Sequence, residues 1–140
     1  ALNCIKIFGY HFAKNQAGSI VNISSDLGII APNQSLYNSS LKYKRVKPVS
    51  YSIIKSGIIG LTKYTSTYWG HKNVRCNSLA PGGVFDKQNK SFINKISKMI
   101  PMNRMAFPEE INGPLIFLLS DKSSYVNGQT LVVDGGRVIW

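Results

Sequence analysis

Tyr51 and Lys55 stand four residues apart in Tyr-Ser-Ile-Ile-Lys, inside a stretch patterned as a helix. A helix brings residues i and i+4 onto one face. A phenol beside an ammonium is a proton donor made more acidic, because the positive charge favours the phenolate. Ser25, at the end of the strand-like run Gly18-Ser-Ile-Val-Asn-Ile-Ser-Ser25, adds a hydroxyl from elsewhere in the chain. Together these groups could hand a proton to a carbonyl oxygen or take one from an alcohol. Taken alone the pair is weak, since most isolated Tyr-x-x-x-Lys matches are a packed ring and a solvated amine. The elements that must position it decide the matter.

From about Ala1 to Lys14, Leu2, Ile5, Phe8 and Phe12 recur at helical spacing, and Gln16-Ala17-Gly18 should stop that helix. Ser19 to Ser24 is short and rich in β-branched residues, the composition of a buried strand. Asp26 to Ser50 is irregular and polar, a long loop of the kind that carries function or moves. A helix is predicted over Ser50 to Trp69, with Ile53, Ile54, Gly57, Ile58 and Leu61 as its apolar stripe. Gly57 and Gly60 would admit another backbone there, and Gly70 should end the helix. Asn73 to Ala80 reads as a second buried strand, ended by Pro81-Gly82-Gly83. Lys87 to Ile100 is basic and amphipathic, with Phe92, Ile93, Ile96 and Met99 on one side. Pro108-Glu109-Glu110 opens a helix running to about Ser120, its carboxylates at the positive end of the dipole. Thr130 to Val133 is a third strand, followed by Asp134-Gly135-Gly136.

This alternation predicts an α/β fold whose parallel strands are joined by right-handed crossovers. In such sheets chemistry gathers beyond the carboxyl ends of the strands. Ser24-Ser25 and Pro81-Gly82-Gly83 fall at those ends, and Tyr51 opens the helix that leaves the same rim.

Composition narrows the rest. With 140 residues, 44% of them apolar, the chain makes one domain with a core. No apolar run is long enough to span a bilayer, and the N-terminus lacks the pattern of a secretory signal. The two cysteines, Cys4 and Cys76, show no metal-ligand spacing, so neither a metal site nor a disulfide scaffold is expected and a cytoplasmic location is. Sequons such as Asn38-Ser39-Ser40 then read as chance matches. The formal charge of +11 comes from scattered lysines, densest at Lys42-Tyr43-Lys44-Arg45-Val46-Lys47. No nucleic-acid reading module surrounds that cluster, so no nucleic-acid partner is expected.

Gly18 to Ser25, Tyr51-Ser-Ile-Ile-Lys55-Ser-Gly57, Asn73 to Gly82, the Pro101 to Ile111 run and Val126 to Gly136 occur in one order along the chain. Jointly they resemble the short-chain dehydrogenase/reductase family over essentially the whole length. The resemblance implies a Rossmann-like, doubly wound parallel sheet and an NAD or NADP cofactor. It makes Tyr51 the catalytic acid/base and Lys55 the group that acidifies it and holds the nicotinamide ribose. Ser25 would orient the substrate oxygen, with Ser24 as the alternative. Asn3 resembles the asparagine that supports a proton relay. Pro81, Gly82 and Val84 would line the nicotinamide, and Gly83 the substrate. A small carbonyl or alcohol substrate and a homodimer or homotetramer are further expectations.

Two departures stand out. The interval from Ser25 to Tyr51 is far longer than the family's, and an insertion such as Asn33 to Pro48 costs little if it bulges outward. Tyr37, Lys42, Tyr43, Lys44 and Arg45 could then contact substrate. The glycine-rich turn that cradles phosphate is also missing, as is an acidic residue to read the adenosine ribose. The expectation is therefore the C-terminal half only of a Rossmann-like domain, with three strands and crossover helices over 1–140. NAD and NADP cannot be told apart. A strand lacking its partner at Ser19 to Ser24 would leave the chain alone unstable or inert. The long interval, Asn77 to Phe85, Ile100-Pro-Met and the Gly-Gly-Arg-Val-Ile-Trp ending resemble the branch linked to flagellin modification and surface-sugar biosynthesis, implying a sugar or nucleotide-sugar substrate. The competing reading is a non-catalytic remnant that keeps the oligomer-forming half.

Overall fold

A computed structural model describes residues 1–37 and 46–140. Its opening helix is built from α1 (Leu2–Cys4), a π-helical segment (Ile5–Gly9) and α2 (Tyr10–Asn15). Gln16 closes it in the left-handed conformation at φ 52°, and its N–H bonds back to Ala13. Strand β1 (Gly18–Ile23) follows, then short 3-10 turns at Asp26–Gly28 and Gln34–Leu36. Helix α3 (Val49–Trp69) leads into β2 (Val74–Pro81). Helices α4 (Lys90–Ser97) and α5 (Glu109–Leu119) precede β3 (Thr130–Val133).

The three strands form one parallel sheet in the order β1-β2-β3, with Gly18 opposite Val74 and Ser78 opposite Thr130. Parallel neighbours need long crossovers, and α3 and α5 supply them. This is the expected α/β, Rossmann-like arrangement. Among the described residues, β1 pairs on one side only. No described helix is long and apolar enough to cross a membrane.

The strands bury polar side chains as well as apolar ones: Asn22, Asn77 and Ser78 are all buried. Asn77 uses its amide as a sheet extension: Nδ2 donates to the Val126 carbonyl at 2.8 Å and Oδ1 accepts from Gln129 N–H at 3.0 Å. Arg75 donates to the Leu118 and Ser120 carbonyls and to Ser123 Oγ, which satisfies the open carbonyl end of α5.

Helix α3 is turned the other way from the apolar-in expectation. Thr62, Thr65 and Ser66 are its buried residues, whereas Ile53 and Ile54 are 66% and 59% exposed. The small hydroxyl residues lie flat because each bonds a carbonyl of its own helix. Thr62 also accepts from Asn22 Nδ2 at 2.9 Å, which joins helix to sheet through a polar seam. Among the described residues, nothing lies within 4 Å of a Cβ built on Gly57 or Gly60. Gly70 is the stop residue expected: α3 ends at Trp69, Gly70 caps it and opens a 3-10 turn, and Asn73 at φ 56° reverses the chain.

A separate apolar cluster of Leu36, Ile96, Ile100 and Met105 packs the 34–37 turn against α4. Tyr37, Phe92, Ile93 and Met99 surround it, so the predicted face of the basic segment is the one that packs.

Candidate functional site

The carboxyl end of β1 is fastened to the first turns of α3 by three hydrogen bonds. Lys55 Nζ donates to the Ile23 carbonyl at 3.0 Å. Ser24 Oγ donates to the Lys55 carbonyl at 2.7 Å, and Ser56 Oγ to the Gly28 carbonyl at 2.9 Å. Gly28 makes this approach possible, since a Cβ there would sit 2.8 Å from both the Lys55 oxygen and Ser24 Oγ. Tyr51 lies one turn before Lys55, with the Lys55 ammonium 5.6 Å from its ring centre. Sequence and structure therefore agree that Tyr51, Lys55 and the Ser24-Ser25 corner share one rim.

The two serines are not equivalent. Ser24 gives its proton to the α3 backbone. Ser25 caps the Asp26–Gly28 turn: its Oγ accepts from Leu27 N–H at 3.2 Å and donates to Asp26 Oδ1 at 2.9 Å. Asp26 is 2% exposed and its other oxygen binds Arg137 Nη1 at 2.5 Å. Sequence reasoning missed both charged residues. The signal was available, because Asp26 is the first of only six acids in a strongly basic chain and directly follows the candidate serine.

Lys47 was likewise passed over. Its ammonium lies 3.8 Å from the Tyr51 ring centre and 5.8 Å from that of Tyr37. The Gln34 side chain holds Lys47 in place, accepting from its N–H at 2.9 Å and donating to its carbonyl at 3.3 Å. This pinches the base of the long interval so that Tyr37 and Tyr51 face a common cation. Burial raises the Tyr37 phenol above its ordinary value; Arg137 opposes that rise, and Asp26 and Tyr51 add to it. Lys42, Tyr43, Lys44, Arg45 and the Asn38 sequon lie outside the described residues.

At the end of β2, Gly82 N–H donates to the Val133 carbonyl at 2.9 Å. A Cβ on Gly82 would meet Asp134 Cα at 2.8 Å, so only glycine lets the turn pass beside β3. Val84 is held in a parallel bridge with Ala106, and Ala106 N–H donates to the Gly83 carbonyl at 2.9 Å. Pro81, Gly82, Gly83 and Val84 are thus half-buried at the same end of the sheet as Ser25. Asn3 is not joined to this group. Its side chain is exposed and makes no hydrogen bond among the described residues.

Such a rim offers hydroxyl and ammonium donors beside a glycine-lined wall. One N–H of Lys55 is committed to Ile23, and two remain for a ligand's hydroxyl groups. The donor set fits a ribose and a carbonyl or alcohol oxygen.

The chain is similar to known proteins along nearly its whole length. Residues 1–137 match the family model described as Enoyl-(Acyl carrier protein) reductase. Post-translational flagellin modification protein A of Campylobacter coli is 40% identical over 125 residues, covering 89% of this chain and 48% of that protein. The 3-oxoacyl-(acyl-carrier-protein) reductase FabG of Thermotoga maritima is 36% identical over 134 residues, 92% of this chain and 49% of its own length. A crystal structure of a short chain dehydrogenase from Leptospira borgpetersenii with bound NAD+ matches with TM-score 0.84 and 34% identity, covering 95% of this chain and 51% of that one. A gluconate 5-dehydrogenase from Burkholderia cenocepacia in complex with NADP and tartrate matches with TM-score 0.83 and 29% identity, covering 97% and 51%. The chain spans about half the length of the curated relatives it matches.

Proposed function

This chain belongs to the short-chain dehydrogenase/reductase family, and from that membership we propose that it carries the proton-transfer half of an oxidoreductase acting on a carbonyl or alcohol carbon. The observation that carries the reading is the fastening of Lys55 to Ile23 and of Ser24 to Lys55, which holds the start of α3, with Tyr51 on it, against the carboxyl end of β1.

In this reading Tyr51 Oη gives its proton to a carbonyl oxygen as it becomes an alkoxide, or takes one in the reverse direction. Lys55 lends positive charge beside that oxygen and offers its remaining N–H groups to the cofactor ribose. Ser25 holds a substrate oxygen, with Ser24, whose Oγ donates to the Lys55 carbonyl, as the alternative. Pro81, Gly82 and Val84 form the wall that would hold the nicotinamide, and Gly83 faces the substrate side. A bound NAD or NADP supplies or accepts the hydride. Asn3 as a relay group remains part of the proposal only through its position at the start of the opening helix.

A polyhydroxylated substrate, a sugar or nucleotide-sugar, is the narrower proposal. Its support is the 40% identity to a flagellin modification protein and the gluconate dehydrogenase among the structural neighbours. The test incubates the full-length protein with NADH or NADPH deuterated at the transferred position, and with 5-ketogluconate or acetoacetyl-CoA. Deuterium should appear on the new alcohol carbon. Absence of transfer from both cofactors to both probes would reject the oxidoreductase reading.

A second reading, an oligomer-forming module, rests on the outward apolar face of α3. Ile53, Ile54, Tyr64 and Tyr68 are between 56% and 66% exposed, and Tyr64 and Tyr68 stack at 5.7 Å. Faces of this kind mark association sites. The two readings coexist if this face joins protomers of one enzyme, a homodimer or homotetramer.

A further inference from the structure

Asp26 and Arg137 are 2% and 7% exposed and form an ion pair across 111 residues of chain. Taking two charges out of water is costly, and such a pair adds little to stability over an apolar replacement. What it does add is direction. Asp26 Oδ2 is fixed by the guanidinium, and Oδ1 then accepts both Ser25 Oγ–H at 2.9 Å and Leu27 N–H at 2.7 Å. A serine hydroxyl is otherwise a free rotor. Here its proton points to a fixed carboxylate, and one lone pair already takes the Leu27 N–H. The remaining lone pair is what Ser25 can offer to another group.

Arg137 is itself preset. Asp134 at the end of β3 accepts from Gly136 N–H at 2.9 Å and Val138 N–H at 2.7 Å, with Gly136 at φ 92°. This closes the turn that starts the Arg137–Ile139 segment. A continuous chain of polar contacts therefore runs from the carboxyl end of β3 to the carboxyl end of β1. The field of Arg137 and Asp26 also reaches the Tyr37 phenol on the facing loop.

We infer that Arg137 and Asp26 are positioning residues that lock the Ser25 hydroxyl, so that Ser25 meets a substrate hydroxyl as a hydrogen-bond acceptor. This rests on the oxidoreductase reading above. A mis-set orienting group a short distance from the chemistry lowers turnover by about 10- to 100-fold. The substrate favoured is one that carries a further hydroxyl beside its reacting carbon, a polyol.

The test uses the full-length protein with 5-ketogluconate and acetoacetyl-CoA as probes. Arg137→Ala should lower kcat for 5-ketogluconate, whose hydroxyls can donate to Ser25, by about 10- to 100-fold while KM and the Kd for NADH or NADPH stay within about twofold, and should leave kcat for acetoacetyl-CoA, with no hydroxyl beside its ketone, unchanged. Millimolar guanidinium should restore part of that kcat, and should restore nothing to Tyr51→Phe. Asp26→Asn/Arg137→Gln leaves no unpaired buried charge, so it should fold and show the same kcat loss. The inference is overturned if the double variant melts like wild type and keeps its kcat. It is equally overturned if kcat and melting temperature of Arg137→Ala fall together without guanidinium rescue. A wild-type protein inert to both probes removes the oxidoreductase reading itself, a result distinct from active enzyme with indifferent variants.

Discussion

Lys55 connects three parts of the site: its carbonyl receives Ser24, its ammonium holds the Ile23 carbonyl, and that ammonium lies 5.6 Å from the Tyr51 ring centre. Cys76 behaves oppositely, as a group withdrawn from chemistry. It is fully buried, and desolvation pushes its thiol up to about 11 against weak hydrogen bonds from Thr65, Thr62 and Asn22. Cys4 is exposed, and neither cysteine is in a disulfide. A thiolate-specific aromatic disulfide should therefore modify one thiol per chain quickly at neutral pH and the second only after denaturation. Rapid reaction of both in the native protein would show that β2 and α3 are not packed as described.

At the scale of elements, the strands were legible as short runs between helices, β2 and β3 closing at Pro81-Gly82-Gly83 and Asp134-Gly135-Gly136, and the bounds of β3 match the reading residue for residue. The rotation of α3 was not legible. An apolar stripe says only that a face avoids water, and here Thr62, Thr65 and Ser66 fill the inner face by bonding their own helix carbonyls. The Ser25 corner was half-legible, since the serine stood in a motif while its Asp26–Arg137 support joins positions that no local pattern links. The long interval could be seen as an excursion, but the Gln34–Lys47 pinch depends on backbone groups that composition does not reveal.

The loop before α5 makes a prediction of the same scale. Glu110 is pulled down to about 2, first by hydrogen bonds from Arg104 at 2.6 and 2.7 Å and then by Phe107 N–H. A depressed carboxylate contributes stability above its unfolded value of 4.5 and loses it as pH falls toward about 2. Glu110→Gln should therefore melt below wild type at neutral pH, with the gap closing on acidification. An equal gap at about pH 7 and about pH 2 would contradict the assignment.

At the scale of the whole molecule, two surfaces ask for neighbours: the open side of β1 and the outward face of α3. An unpaired strand edge is a template for another strand. The α3 face holds isoleucines and a tyrosine stack around Gly57 and Gly60, which no described residue covers. Ile54→Lys in the full-length protein should shift sedimentation toward the monomer, because a charge would be buried without a partner in that contact. A wild type that sediments as a monomer would remove the association, and a variant that keeps the wild-type assembly would place the interface elsewhere.

Tyr51→Phe removes one oxygen and leaves the Lys55, Ser24 and Gly28 contacts untouched. Measured in the full-length protein as deuterium transfer to 5-ketogluconate or acetoacetyl-CoA beside cofactor affinity, it should abolish transfer while the Kd for NADH or NADPH stays within about twofold, since the lost group acts on the proton and not on the nicotinamide grip. Transfer at the wild-type rate would show that Tyr51 is a packed ring and that the proton moves through another group.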